Sequence, residues 1–345
     1  MSLFLDAAWG KDTPRAPIWI MRQAGRYLPE YMAIKAKSSF WEMCRTPELA
    51  TEITLQPVRR LGVDAAILFS DIMTPLPPMG VDIEFAPGPV IDTPIRSMKQ
   101  VEALRIPEQE AIAPYVAEAI ALVRPASPVP LIGFGGAPLT LATYLVEGGG
   151  SKDYEHFRQF LWSEPQTAHA LLEKLSEVSI RYLRMQIEAG AQAVQLFDSW
   201  AGLHSAAAYA EFGFPYAQKV LQALEAMGVP RIYIAVNAYH LYPHIAALPA
   251  EVISIDWRVP LQQVRPLLSG KTLQGNLDPA ALLAPPAVLK EQATAVLRSG
   301  LGGAHIFNLG HGIMRQSDPD QVAYLVDYVQ SFERHSEENR VGEMA

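Results

Sequence analysis

The sequence predicts an α/β fold, a single (β/α)8 barrel of the TIM type. Short apolar runs alternate with longer segments of helical periodicity, eight such pairs occur, and no linker interrupts them. Near-continuous apolar strands fit a parallel sheet covered on both faces, and eight βα units are the number that closes a barrel. An open doubly wound sheet would show a similar alternation, but eight units rather than five or six favour closure.

The predicted strands are eight apolar or β-branched runs, at residues 18–21, 66–70, 131–134, 193–197, 232–236, 252–256, 272–275 and 305–309. Helical periodicity is clear at residues 48–61, 167–188 and 287–298. Pro47, Pro165 and Pro286 lie near the starts of these helices, where proline is tolerated. Residues 81–91 predict a small hairpin on the barrel rim. We therefore expect one domain over residues 1–335, followed by a polar, disordered tail at 336–345.

The composition is that of an acidic protein with ample apolar material for a core. Half of the 345 residues are hydrophobic, 19% are charged, and the formal net charge is −8. This charge argues against nucleic acid and membrane surfaces as partners, although an anion can still bind where basic residues are focused in a cleft. No apolar run approaches the ~20 residues that span a bilayer, and no secretory signal is recognisable. Because Cys44 is the single cysteine, we expect no internal disulfide, no thiolate-rich zinc site, and a cytoplasmic location.

Polar side chains follow the predicted strands, at the end of a barrel where catalytic residues lie. In chain order they are Arg22 and Arg26, Asp71, Tyr144, Ser199, Asn237 and His240, Asp256, and His311. Each has a plainer explanation, such as a solvated helix face, a turn aspartate, a core tyrosine, a capping serine or a structural histidine. Gly25 favours a loop at the two arginines, and hence an anion-binding role for them. No nucleotide-binding, serine-hydrolase or zinc-protease motif occurs.

Six segments resemble the successive signature segments of the uroporphyrinogen decarboxylase family. They are MRQAGRYLPEY, FSDIM, GFGGAPLTLATYLVEGGGS, QLFDSWAG, TLQGNLDP and NLGHG, and they follow the family's order between residues 17 and 315. The resemblance implies a TIM barrel that forms a homodimer with the two clefts facing each other. It also implies a carboxy-lyase of heme biosynthesis, which converts the four acetate side chains of uroporphyrinogen III stepwise to methyl groups and gives coproporphyrinogen III.

The same motif match implies the site residues. The family's substrate-binding segment falls on Arg22, Gln23, Ala24, Gly25 and Arg26, its aspartate on Asp71, its tyrosine on Tyr144, its serine on Ser199 and its histidine on His311. Asp71 and Arg22 are the expected catalytic residues. FDSWAG departs from some members of the family in carrying Asp198 and Trp200, where others have Glu and His. We do not expect this difference to change the reaction.

The expected chemistry explains why a carboxylate and arginines would share one cleft. Decarboxylation needs an electron sink, and a pyrrole protonated at a ring carbon supplies its own, so we expect no cofactor and no metal. An ionised Asp71 at the pyrrole N–H groups would stabilise the ring cation, while arginines hold the carboxylates. Arg22, or a water that it holds, is the predicted proton donor.

Two alternatives stay open. A zinc-dependent corrinoid methyltransferase shares the fold, but it needs thiolate and imidazole ligands, and this chain has one cysteine. A catalytically inactive tetrapyrrole-binding protein should have lost Asp71 or the arginines, which this chain keeps.

Overall fold

A curled sheet of parallel strands forms the centre of the fold in the computed structural model, which describes residues 2–85 and 88–334. The strands of this part of the chain are β1 (Ala66–Ile67), β2 (Glu84–Phe85), β3 (Pro89–Val90), β4 (Leu131–Gly136), β5 (Ala193–Asp198), β6 (Arg231–Ala235), β7 (Val252–Ser254), β8 (Thr272–Gln274) and β9 (His305–Ile306). Seven of them form one parallel sheet in the order β1-β4-β5-β6-β7-β8-β9. Every residue of these seven strands is buried except one half-buried phenylalanine in β5.

Helices connect the strands, as parallel neighbours require. They are α1 (Leu3–Ala8), α2 (Pro29–Lys35), α3 (Phe40–Arg45), α4 (Pro47–Leu61), α5 (Met98–Ala103), α6 (Gln109–Ile112), α7 (Pro114–Ala126), α8 (Pro138–Glu147), α9 (Glu155–Ser163), α10 (Pro165–Glu188), α11 (Ala206–Phe212), α12 (Phe214–Ala223), α13 (Tyr242–Ile245), α14 (Leu261–Val264), α15 (Pro286–Ser299) and α16 (Pro319–Gln330). Short 3-10 helices occupy Ala201–Leu203 and Tyr239–Leu241, in the loops after β5 and β6.

The three helices predicted from periodicity are confirmed as α4, α10 and α15. Each begins with a proline in its first turn, one or two residues before the predicted start. Proline suits this position because the first helical N–H groups have no partner within the helix. The apolar stripe of α10 is buried along its whole length, which places this long helix against the sheet and its neighbouring helices.

Seven of the eight predicted strands are present, with ends shifted by up to three residues. The prediction of a strand at residues 18–21 is wrong, because this segment makes only an isolated parallel bridge from Ile18 to Phe307. Side chains take the place of a neighbouring strand there. The Ile18 N–H donates to the Asp64 carboxylate at 2.8 Å, and the Met21 N–H donates to the Asn308 side chain at 2.8 Å. The backbone is thus satisfied without a regular ladder.

A chain of buried polar side chains shows that the sheet is curled. The Gln274 amide of β8 donates to the Gln195 side chain of β5 at 3.0 Å, and the Trp19 indole N–H donates to the Gln274 oxygen at 2.9 Å. In a flat sheet β5 and β8 would stand roughly 14 Å apart, three strand spacings. Their side chains meet because the sheet bends until the inner faces approach each other.

The hairpin predicted at residues 81–91 is confirmed as β2 and β3, which pair antiparallel with Glu84 opposite Val90. A further bridge joins Val90 to Gly149, in the loop after α8. Gly149 has a φ of 153°, and a Cβ atom there would lie 2.9 Å from the Pro89 carbonyl oxygen. Glycine is therefore required where the two segments touch.

Two further expectations concern membrane-spanning helices and the C-terminal tail. Within residues 2–85 and 88–334, no helix has the length and apolar character needed to cross a bilayer. The predicted tail at residues 336–345 lies outside the described residues.

Candidate active site

A cleft opens at the carboxyl ends of β1, β4 and β5 and encloses about 810 Å³, part of it open to solvent. Its lining residues come from the segment after residue 21, from α2 and α3, and from the ends of these three strands. They are Arg22, Ala24, Gly25, Arg26, Tyr31, Phe40, Ile67, Leu68, Phe69, Ser70, Asp71, Ile72, Phe134, Phe197 and Ser199. Six of the nine residues predicted for the site therefore meet in one cavity.

A tight turn carries the two arginines into the cleft. Arg22 and Arg26 have positive φ angles of 64° and 57°, and Gly25 between them has 91°. Non-glycine residues adopt this left-handed conformation at a cost, and such strain is concentrated at functional sites. A Cβ atom at Gly25 would lie 3.3 Å from the Phe69 ring, so the turn also packs closely on the cleft wall.

Gln23 holds this turn in place and does not line the cleft. Its side-chain oxygen accepts from the Ile20 N–H at 2.9 Å, and its amide donates to the Ala65 carbonyl at 2.9 Å. Its own N–H donates to the Ile20 carbonyl at 2.8 Å. The side chain is fully buried, so its bonds fix the backbone on either side of Arg22.

The two arginines give the cleft a concentrated positive charge. Among the described residues neither guanidinium forms an ion pair, and Arg26 donates instead to the Ile313 carbonyl at 3.0 Å. Burial, with the nearby charges of Arg22 and Arg315, lowers the pKa of Arg26 to about 10. Arg26 therefore stays charged at neutral pH, and an anionic ligand would relieve the repulsion between these side chains.

Asp71 provides a carboxylate in the same cleft, four residues after β1. One of its oxygens accepts from the Met73 N–H at 2.9 Å, so the plainer explanation of a turn aspartate is true of this residue as well. The side chain remains partly accessible from the cleft. Burial raises its pKa, against the opposing effects of the Met73 N–H and the Arg22 charge. Turn formation and a place in the site are thus compatible.

Ser199 lines the cleft directly, whereas Tyr144 and His311 lie beside it. Tyr144, on α8, packs the edge of its ring against Trp200 with centroids 5.9 Å apart, and burial raises its pKa. Burial and the Arg22 charge lower the pKa of His311 to about 4. The His311 imidazole is therefore neutral at pH 7 in the cleft without a ligand, with one ring nitrogen that donates and one that accepts a hydrogen bond.

An aromatic wall is the part of the site that the sequence did not predict. The Phe134 and Phe197 rings meet edge to face with centroids 5.5 Å apart, and Phe69 packs against Tyr31 and Phe40 at 5.8 and 5.9 Å. Phe69, Phe134 and Phe197 stand near the ends of three strands that are neighbours in the sheet, a signal that was available in the sequence. Tyr31 and Phe40 come from helices with no local signal. The wall offers a flat ligand apolar contact and lowers the local dielectric.

The remaining polar residues of the rim bind one another. The Asp256 carboxylate accepts from the Arg258 N–H at 2.9 Å and from the Asn237 N–H, and it forms an ion pair with the Arg258 side chain at 3.3 Å. His240 bonds the His204 carbonyl at 2.8 Å. These residues fix the loops after β6 and β7.

The described residues offer no ready metal site. No group of three or more His, Cys, Asp or Glu side chains comes together within residues 2–85 and 88–334. Cys44 is buried in α3, and burial raises the pKa of its thiol. Its thiolate form, which a metal needs, is therefore disfavoured.

Comparison with known proteins gives consistent results for family and fold. A family model described as uroporphyrinogen decarboxylase matches residues 1–332. The uroporphyrinogen decarboxylases of Geobacter sp. (strain M21) and Trichlorobacter lovleyi are 47% and 48% identical, over 96% and 94% of this chain and 98% and 97% of their own. Among solved structures, a methyltransferase from Methanosarcina mazei superposes with a TM-score of 0.81 at 20% identity, covering 96% of this chain and 99% of that chain. At that identity the likeness shows the fold alone.

Proposed function

The chain belongs to the uroporphyrinogen decarboxylase family, and we propose from this that it is a carboxy-lyase of heme biosynthesis. It removes carbon dioxide from the four acetate side chains of uroporphyrinogen III in successive turnovers, giving coproporphyrinogen III. The observation that supports the assignment is one cleft that holds a partly accessible carboxylate, Asp71, beside two arginines with no acidic partner among the described residues.

The reaction needs a temporary positive charge on the substrate. A proton adds to the pyrrole carbon next to the acetate-bearing carbon, and the ring becomes an iminium ion. The bond to the carboxylate carbon then breaks, and its electron pair neutralises the ring as carbon dioxide leaves. A second proton reaches the exocyclic carbon to give the methyl group, and the first is lost from the ring. For each acetate, the net change consumes one carboxylate group and one proton, and it forms one C–H bond of the new methyl group and one carbon dioxide.

Asp71 and the arginines match these demands. In our proposal the Asp71 carboxylate accepts hydrogen bonds from the pyrrole N–H groups. The positive charge of these groups grows in the transition state, so the carboxylate stabilises the ring cation. Arg22 and Arg26 bind substrate carboxylates through their planar forks. Arg22, or a water that it holds, delivers the ring proton. The raised pKa of Asp71 is an apparent objection, but approach of the cationic ring and of Arg22 favours its ionised form.

The other predicted residues complete the substrate site. We assign substrate contacts to Ala24 and Gly25, which line the cleft, and to Ser199, Tyr144 and His311 as hydrogen-bonding groups. Gln23 contributes through the turn that it holds rather than through its amide, since both ends of that amide already bind backbone. The aromatic wall supports the face of the macrocycle.

The proposal includes a closed single barrel over residues 1–335. The sheet has seven ladder strands, and its two edges are β1 and β9. Residues 17–18 lie between them: the Phe307 N–H donates to the Pro17 carbonyl, and the Asp64 N–H to the Ile18 carbonyl, both at 2.8 Å. These bonds support closure by an irregular eighth segment in place of a regular strand.

We further propose a homodimer that acts in the cytoplasm without metal or organic cofactor. Leu203 and Tyr239 are 37% and 49% exposed in the loops after β5 and β6, and they provide apolar surface at the cleft end of the sheet. Sedimentation of the protein at micromolar concentration should give a dimer, and a monomer would contradict this part of the proposal. Dialysis against a chelator should leave turnover unchanged, whereas activity restored by added metal would contradict cofactor independence.

One experiment tests the assignment as a whole. Purified protein is incubated anaerobically with uroporphyrinogen III, and the products are oxidised and separated by carboxylate number. We expect intermediates with seven, six and five carboxylates and a final four-carboxylate product. Binding of the substrate without turnover would support an inactive tetrapyrrole-binding protein instead. Methyl transfer to a corrinoid would support the methyltransferase alternative, which the described residues do not favour because they lack a ligand cluster.

A further inference from the structure

A buried carboxylate lies next to the cleft, one residue before Ser199. Asp198 ends β5 and is 0% exposed. Its two oxygens accept from the Thr140 and Tyr233 hydroxyls, each at 2.8 Å. The Tyr233 oxygen in turn lies 2.8 Å from that of Tyr209. None of the ion pairs among the described residues includes Asp198, so hydroxyl groups alone compensate the loss of its hydration.

Thr140 connects this carboxylate to α8, the helix that carries Tyr144. Its hydroxyl donates to the Asp198 carboxylate and accepts from the Trp200 backbone N–H at 3.3 Å, so it acts both as a donor and as an acceptor. Thr140 therefore holds the residues directly before and directly after Ser199. It also lies on α8 one turn before Tyr144, and residues four apart share one face of a helix.

Ring contacts strengthen the same connection. Trp200 packs against Tyr144 at 5.9 Å and against Tyr154 at 4.5 Å. The segment 198–200 is thus held against α8 on both sides of Ser199.

We propose that Asp198 is a positioning residue, which through Thr140 fixes the separation between Ser199 and Tyr144 at the edge of the substrate site. This inference rests on the proposed function, in which those two side chains contact the substrate. Asp198 does not touch the substrate itself, because it is fully buried. Its role is to set the geometry of two groups that belong to different βα units.

The charge of Asp198 affects how these hydroxyls bond to it. An ionised carboxylate accepts from both hydroxyls, whereas a protonated one donates through its own O–H, so one of the two hydroxyls must turn to another acceptor. Tyr233 can turn to Tyr209, but if Thr140 is the one that turns, its bond to Asp198 is reversed. Burial, opposed by the hydroxyl donors, raises the pKa of Asp198 to about 6. The titratable groups around it are Tyr233 on β6 and Tyr209 on α11, with His244 of α13 6.2 Å from the Tyr209 ring.

A matched pair of variants separates this role from general support of the helix. Thr140→Val removes the hydroxyl that bonds Asp198, while Thr143→Val removes an equally buried hydroxyl of α8 that donates only to the Leu139 carbonyl at 2.7 Å. We expect kcat/KM to fall by on the order of 10- to 100-fold in Thr140→Val. Thr143→Val and the rescue variant Thr140→Ser should stay within about threefold of wild type. Equal effects of the two valines would overturn the proposal.

Two further measurements keep the inference testable if Thr140→Val does not fold or if turnover is absent. The wild type should lose kcat/KM in a step as pH falls through about 6, and Asp198→Asn should remove that step. A wild-type profile without the step, or one unchanged by the substitution, would contradict the role. Crystals of the Thr140→Val and Thr143→Val variants give the distance between Ser199 Oγ and the Tyr144 hydroxyl without any assay. We expect it to change by about 1 Å only in the former. A wild-type enzyme that turns over uroporphyrinogen while both valine variants match it would refute this inference and leave the proposed function intact.

Discussion

The Arg22 side chain lies across Gly312, which has no side chain to exclude it. A Cβ atom at residue 312 would approach the Arg22 Cδ atom to 2.6 Å and its Cγ and Nε atoms to 3.0 Å. Real Cβ atoms do not come so close to other heavy atoms, so any larger residue at 312 must move the guanidinium. The position of the proposed catalytic arginine therefore depends on a residue 290 positions away in the sequence.

Gly312→Ala should thus impair the enzyme without changing its chemistry. The backbone at 312 is not left-handed, and the three heavy atoms nearest to an added Cβ atom all belong to Arg22. We expect kcat/KM for uroporphyrinogen to fall by on the order of 10- to 100-fold, as displacement of a substrate-holding group by about 1 Å can do. Gly150→Ala is the control, since a Cβ atom at 150 meets nothing within 4 Å. If both variants retain wild-type kinetics, Arg22 does not act from its present position.

Replacement of Arg22 by lysine tests the shape of the contact rather than its charge. Lysine keeps the positive charge and loses the planar fork that binds a carboxylate through two bonds. We expect Arg22→Lys to lower kcat/KM by roughly tenfold or more, because the loss of one hydrogen bond between charged groups costs at least about 1.4 kcal/mol. Arg59→Lys, which alters a surface arginine paired with Glu52, serves as control. Wild-type kinetics and affinity in Arg22→Lys would show that the proposed bidentate contact is absent.

Asp71→Asn tests whether this carboxylate acts mainly in the transition state. Asparagine preserves the size and the bond from the Met73 N–H, while it removes the charge. We expect kcat to fall by on the order of 10²- to 10³-fold, with a much smaller loss of affinity for coproporphyrinogen. Asp318→Asn is a close control, because Asp318 accepts from the Asp320 N–H in the same local pattern at 2.9 Å. A near-normal kcat in Asp71→Asn would mean that Asp71 is only a turn residue.

Three histidines that the fold keeps uncharged make it sensitive to acid. Burial lowers the pKa of His305 to about 3 and the pKa values of His204 and His311 to about 4, from 6.5. As pH falls below about 6.5, the unfolded chain takes up protons that the folded chain does not, so these residues reduce the free energy of unfolding. Asp198 acts in the opposite direction between pH of about 6 and 4, because its raised pKa lets the folded chain take up a proton first.

His305→Gln should isolate one of these contributions. The His305 ring bonds the Gly275 carbonyl at 2.7 Å, and glutamine can donate a similar bond without titrating. We expect the free energy of unfolding of this variant to fall less than that of the wild type as pH decreases below about 6. The difference between the two should reach at most roughly 4 kcal/mol near pH 3. Urea unfolding at several pH values measures it, with the exposed His156→Gln as control. An unchanged pH dependence in His305→Gln would show that His305 protonates normally in the folded chain.

The sequence predicted those parts of the molecule that depend on local pattern. Seven strands and three helices followed from apolar periodicity, and six of the nine predicted site residues line one cleft. The segment at 18–21 has the composition of a strand, but its N–H groups bind the side chains of Gln23, Asp64 and Asn308. Two of these partners, Asp64 and Asn308, are distant in the sequence and leave no local trace.

The same limit applies to the candidate site. Tyr31 and Phe40 reach the cleft from helices, and their packing against Phe69, two residues after β1, places them there. The hydroxyl network of Asp198 joins residues of α8, β6 and α11. A single sequence shows the carboxylate but not the three elements that surround it.

The contact of Arg26 with the Ile313 carbonyl has a consequence for how the protein matures. The arginine turn is synthesised well before its partners at residues 312–313, because Arg26 and Ile313 are 287 residues apart in the chain. Contacts between segments so far apart form late, because a long loop must close before they contribute any free energy. A nascent chain that lacks residues 312–313 can therefore collapse around its early helices with the turn held by Gln23, but its Arg26 guanidinium lacks the Ile313 carbonyl and its Arg22 side chain lacks the Gly312 backbone beside it. The two arginine side chains therefore reach their final positions only after residues 312–313 have been synthesised.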